Sequence, residues 1–187
     1  MRRSVATLIA TALLLTVSAI GGTAAQDTAE NAYLGRFQGM LVGSGAPVEG
    51  GRCPALTIEI TGPGMATHMG SFTTEQSHCV DPTADDPLAF SDGQYTFTDA
   101  DGSSISGRYN GRLIPTETTG VDGLYLIEGR WTIDEGTGRF EGATGAGVAD
   151  GLQNLTTGEA SLVLDGVFAY PGLVPGATEV SEATPVS

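Results

Sequence analysis

Lysine is absent from this 187-residue chain, tryptophan occurs once, and cysteine and histidine occur twice each. Without lysine there is no phosphate-cradling Walker loop. The two histidines, His68 and His78, have no serine or cysteine marked out as a nucleophilic partner, and no Gly-x-Ser-x-Gly elbow sits in a strand-to-helix context. The pair Gly136-x-Gly138 is not a dinucleotide fingerprint, because the third glycine would fall at Glu141 and no helical pattern follows. Helical periodicity is itself missing after the first 20 residues, as is any second long apolar run. Positive charge is scarce: all 22 acids lie after residue 25, against six arginines. Such a surface lacks the phosphate-neutralising contribution that nucleic acid and anionic membranes require, so neither is expected as a partner. The charge fits solubility in a salty or acidic exterior, with recognition of a basic partner as the alternative.

The chain opens on Met1-Arg2-Arg3, continues as an apolar run from Val5 to Ile20, and reaches the small residues Gly22-Thr23-Ala24-Ala25. This is the layout of a secretory signal peptide over 1–25, with no membrane insertion after cleavage and an extracellular or periplasmic destination. Residues 26–34 read as a flexible leader, 35–170 as one domain, and 171–187, with three prolines, as a disordered tail. In an oxidising compartment Cys53 and Cys79 suggest one disulfide. Free thiols or a metal pair completed by His68 and His78 are the alternatives.

What is present is period-two alternation. Leu56, Ile58 and Ile60 alternate with Thr57, Glu59 and Thr61; Tyr95 and Phe97 with Gln94, Thr96 and Thr98. Ile105 to Leu113, Tyr125 to Ile133 and Leu162 to Phe168 continue the pattern. These are half-buried strands. Weaker strands fit at 35–42, 65–73, 74–80 and 139–151, giving eight or nine. A Gly-Arg-aromatic-x-Gly unit occurs three times, at 35–39, 107–111 and 138–142. On a strand it places glycine, ring and glycine on one face and arginine on the other, which suits a strongly curved wall. The expected fold is therefore an all-β, antiparallel, eight-stranded closed barrel, with a β-sandwich as the rival.

If the apolar set points inward, Glu59, Glu128, Asp165, Arg108 and Arg112 face water, and the five clearest strands place no acid or base inside. The inward glycines leave room, and Tyr95, Tyr109, Tyr125 and Trp131 are the candidate lining of a lumen for one small apolar ligand. The alternative is a core filled by those rings. Asp99-Ala100-Asp101-Gly102 resembles the start of a calcium loop, but Ser103, Ser104 and Asn110 occupy the later ligand positions, so it reads as a hairpin turn and no metal or cofactor is expected.

The stretch from Asp134 to Gly147, with Gly136-Thr137-Gly138-Arg139-Phe140-Glu141-Gly142-Ala143 at its centre, is similar to the glycine-rich signature of dirigent proteins and the related loop of allene oxide cyclases. Ala66-Thr67-His68-Met69-Gly70-Ser71-Phe72 and Thr96-Phe97-Thr98-Asp99-Ala100-Asp101-Gly102 resemble segments of a group of exported bacterial proteins of unassigned role. The resemblance implies an allene-oxide-cyclase-type barrel, often a homo-oligomer in its plant members. It does not carry over catalytic residues: Glu135 stands where the signature has its first glycine. Three functions follow as expectations: a non-catalytic barrel that binds an apolar or aromatic ligand or serves as an interaction module; a cyclase-like or dirigent-like guide for a reactive intermediate; and a structural protein with a filled core.

Overall fold

Alternating side chains become eight long antiparallel strands in the computed structural model, which describes residues 34–116 and 123–173. The strands are β1 (Gly35–Val48), β2 (Leu56–Ala66), β3 (Gly70–Val80), β4 (Ala89–Asp99), β5 (Ser104–Pro115), β6 (Leu124–Gly136), β7 (Thr144–Asn154) and β8 (Glu159–Ala169). Each pairs with the next in sequence, and β8 returns to β1 from Gly35 opposite Phe168 to Ser44 opposite Glu159. The sheet has no free edge, and the sandwich is excluded. The expected signal peptide, most of the leader and the tail from 174 onward lie outside the described residues.

The wall bends where rings lie over glycines. Gly147 and Gly166 face each other across β7 and β8. A Cβ at Gly147 would stand 2.4 Å from the Trp131 indole, and one at Gly166 would stand 2.6 Å from it. The indole thus fills a gap that only paired glycines leave. Two of the three repeated units behave as expected. Phe37 and Tyr109 point inward, while Arg36 and Arg108 point out to ion pairs with Asp165 and Asp134.

The third unit corrects the strand reading of 139–151. Gly138 and Gly142 adopt φ of +59° and +76°, which a strand cannot accommodate, and Gly138–Phe140 forms one turn of 3-10 helix before β7 starts at Thr144. The expected strand over 65–73 is likewise interrupted. His68 and Gly70 have φ of +67° and +72° in the tight turn that joins β2 to β3.

That end of the barrel is plugged. Phe37, Phe140 and Phe168 are essentially fully buried, with Tyr170 packed beside Phe168 at 5.0 Å between ring centres. Each such ring contributes about 2–3 kcal/mol of burial. Leu173, within the stretch read as a tail, also packs here against Gly35. A polar latch holds the plug in place. The Asp99 carboxylate, 2% exposed, accepts the backbone N–H groups of Asp101 and Ser103. Its other oxygen takes both Nε and Nη2 of Arg139 at 2.8 and 2.5 Å. The Arg139 guanidinium also donates to the Met69 carbonyl and lies 4.4 Å from the Phe140 ring centre. The calcium-like motif is thus the β4–β5 hairpin turn, closed by Asp99 N–H donating to the Ser103 carbonyl.

The outer face carries the expected charges, Glu59, Arg108, Arg112 and Glu128 being exposed. It is not uniformly polar. Met40 sits beside Met65 and Val163 across the strands, and all three are more than half exposed.

Candidate functional site

With one end sealed by rings, the barrel is a cup. Its opposite end is framed by the connections after β1, β3 and β7, and a cavity of about 290 Å³ occupies the upper lumen. Leu56, Ile58, Val80, Leu113, Ile127 and Leu162 form the upper wall, and Phe97, Tyr95, Trp131 and Leu164 the lower. The volume is near the small end of ligand sites, and the enclosure and apolar lining are what such sites share.

The mouth is anchored by the one disulfide among the described residues, Cys53–Cys79, with 5.4 Å between Cα atoms. It ties the β1–β2 connection to the end of β3, a closure across 26 residues that stabilises by about 3–4 kcal/mol. Arg52 reinforces it, donating to the Ser77 carbonyl at 2.9 Å, to Ser77 Oγ at 3.1 Å and to the Asp92 carbonyl. The cysteines are therefore neither free thiols nor metal ligands, and no group of three or more His, Cys, Asp or Glu side chains among the described residues could hold a metal ion.

Inside, the polar groups gather on β3. Phe72, Thr74, Gln76, His78 and Val80 share its inward face, with Thr74 and Gln76 buried. Gln76 donates to Thr74 Oγ1 at 3.0 Å. His78 lies against Phe90, with ring centres 4.9 Å apart, and its Nδ1 is 2.9 Å from the Tyr109 hydroxyl. Burial, aided by the nearby Arg52 charge, pushes the His78 imidazole down from 6.5 to about 4, so it is neutral at neutral pH. Burial pushes the Tyr95 and Tyr109 phenols well above their usual range. The Tyr95 hydroxyl donates to the Thr132 carbonyl and the Trp131 indole N–H to the Val148 carbonyl, so both rings are pinned to the wall.

Of the four rings proposed for the lumen, the structure brings Tyr95, Tyr109 and Trp131 together around the cavity. Tyr125 stands apart, half-buried opposite Pro115 and Gln153. His68 lies at the plugged end, 6.1 Å from the Phe168 ring. Sequence reasoning missed Gln76 and His78 as lining residues. The signal was there: Phe72 and Val80 fix the inward phase of β3, and the even positions between them are Thr74, Gln76 and His78.

A second concavity, about 720 Å³ and open to solvent, crosses the outer wall between Glu59, Glu75, Asp134 and Glu135. Its one arginine, Arg108, is taken by Asp134 at 2.6 Å. No helix of the described residues is long and apolar enough to cross a membrane.

No protein-family model matches the chain, and no curated protein matches it. Among solved structures it is similar to two pterocarpan synthase dirigent proteins. To PsPTS1 the identity is 14%, over 74% of this chain and 95% of that one, with a TM-score of 0.47. To GePTS1 the identity is again 14%, over 85% and 98%, with a TM-score of 0.48.

Proposed function

We propose that this chain is a non-catalytic binding barrel that takes one small, mostly apolar molecule into its cup. The observation that carries the reading is a one-ended cavity of about 290 Å³ with mostly apolar walls and a polar stripe on β3, where the Tyr109 hydroxyl meets His78. A ligand that hides ~200 Å² of its apolar surface there gains about 5 kcal/mol before the cost of association. Burial opposes charging of His78, Tyr95 and Tyr109 in the cup, which favours binding over proton transfer by these three groups. An exported setting accords with the disulfide.

A second reading is favoured by one feature, the wedging of Trp131 over Gly147 and Gly166. Walls that rigid could hold a reactive intermediate in one conformation away from water, so that shape steers the outcome. The wholly filled core does not describe the upper half of the lumen.

Native mass spectrometry of protein purified without denaturation from its own host tests the binding reading. The expected spectrum shows one small molecule per chain, lost on collisional heating. A bare mass, together with no uptake of apolar compounds by the purified protein, would end it.

A further inference from the structure

The cup is not uniformly greasy, and what is left unpaired in it is specific. The Tyr95 hydroxyl and Trp131 N–H are spent on wall carbonyls, and Gln153 at the rim donates to the Glu159 carbonyl. Two side-chain atoms on β3, His78 Nε2 and Gln76 Oε1, make no hydrogen bond to the protein among the described residues and keep access to the open cup, since no fully buried side-chain nitrogen or oxygen there is left without a partner.

The local backbone is arranged to present His78. The β3–β4 register shifts between Ser77 and Cys79, around His78, and the β4–β5 register shifts between Phe90 and Gly93. Irregularities of this kind re-aim a side chain. Gly93 also clears a path, since a Cβ there would stand 2.6 Å from the Tyr109 ring. Tyr109 thereby crosses over β4 and reaches His78 Nδ1. A phenol is the stronger donor of the two and a neutral imidazole nitrogen the stronger acceptor. The Tyr109 O–H therefore donates to Nδ1, which leaves the ring proton on Nε2.

From this geometry we infer that the ligand is a neutral molecule with a carbonyl-type oxygen, which accepts a hydrogen bond from His78 Nε2 while its apolar body fills the cup. The inference rests on the binding reading above and narrows it. Ions of either sign are poor candidates. At the mouth the Arg52 cation, near enough to act on His78, is committed to the Ser77 and Asp92 carbonyls, and Glu49, Asp81, Asp85 and Asp86 stand exposed on the connections there and oppose a carboxylate. An ammonium would be drawn to that rim, but inside it would shed its water with no carboxylate to replace it. A hydrocarbon would enter but leave the His78 N–H unpaired, and a buried donor left that way carries a penalty.

The test uses four compounds of similar size: acetophenone, ethylbenzene, benzoate and benzylammonium. Each is titrated into the full-length secreted protein at pH 7, with the emission of Trp131, the only tryptophan of the chain, as the readout. Acetophenone is expected to bind about fivefold tighter than ethylbenzene, the worth of one hydrogen bond, and the two ions at least tenfold weaker than acetophenone. His78→Leu should bring acetophenone to the level of ethylbenzene, and His78→Phe, which can stack on Phe90, serves if the leucine variant does not fold. In the wild type alone, acetophenone should shift the ¹⁵N resonance of His78 Nε2 and ethylbenzene should not. Equal binding of ketone and hydrocarbon, or tightest binding by either ion, would overturn the inference while leaving a binding barrel. Failure of all four to bind would overturn both.

Discussion

His78 makes the fold sensitive to mild acid, with a sign and a window that follow from its surroundings. Its imidazole resists protonation in the cup, titrating near 4 rather than 6.5, because charging it there means losing water, and does so near the Arg52 charge. The unfolded chain suffers no such restraint. Between about pH 6.5 and 4 the unfolded state therefore binds the extra proton, and stability falls as the pH falls. The gap is worth about 3.4 kcal/mol at full burial, and about 2–3 kcal/mol for a half-buried ring near the mouth. The two ion-paired aspartates Asp134 and Asp165 fall outside the window. Hydrogen bonds from Arg108 and Arg36 hold Asp134 and Asp165 below the usual range, so their contribution is lost only below about pH 4. Urea unfolding followed by Trp131 emission at pH 7, 6, 5 and 4.5 should show the decline in the wild type and much less of it in His78→Phe. A flat wild-type profile, or the same slope in the variant, would refute the placement of His78 in a dry lumen.

The latch at the plugged end gives a second prediction. Asp99→Ala strips two backbone N–H groups and the Arg139 guanidinium of their acceptor, and should cost about 3 kcal/mol, or ~6–12 °C in melting temperature; Asp99→Asn, which can keep the turn hydrogen bonds, should cost less. The wall gives a third, in paired form. Gly147→Ala forces a Cβ to 2.2 Å from the Asp165 carbonyl and 2.4 Å from the indole, and should destabilise by about 2–4 kcal/mol or prevent folding. Gly129→Ala meets nothing nearer than 3.1 Å and should change stability by less than ~1 kcal/mol.

The barrel was legible because its walls obey one simple rule. In β1 and β6 the inward residues recur at every second position, in β4 they do so from Gly93 to Asp99 beyond the register shift that follows Phe90, and the outward set of β6 carries Glu128 and Asp134. The disulfide was legible from two cysteines and an exported layout. The third glycine-flanked ring was misread because sequence spacing is blind to the sign of φ: Gly138 and Gly142 take left-handed conformations, and the same five residues that line a strand elsewhere make a turn that seals the barrel. The polar stripe of β3 was missed for another reason. Thr74, Gln76 and His78 sit on the inward face, so hydrophobicity gives no phase there, and only Phe72 and Val80 at its ends betray it. A strand that breaks the apolar rule is where a binding surface departs from a packed core.

The cup is an accessible hollow with mostly apolar walls above a floor of packed rings. Nile red titrated into the wild type and into Ala149→Phe, whose new ring would occupy the lumen, tests that most directly. One saturable dye site per chain in the wild type, abolished in a variant that still melts cooperatively, is the predicted outcome. Dye binding that is equal in both proteins, or absent from both, would contradict it.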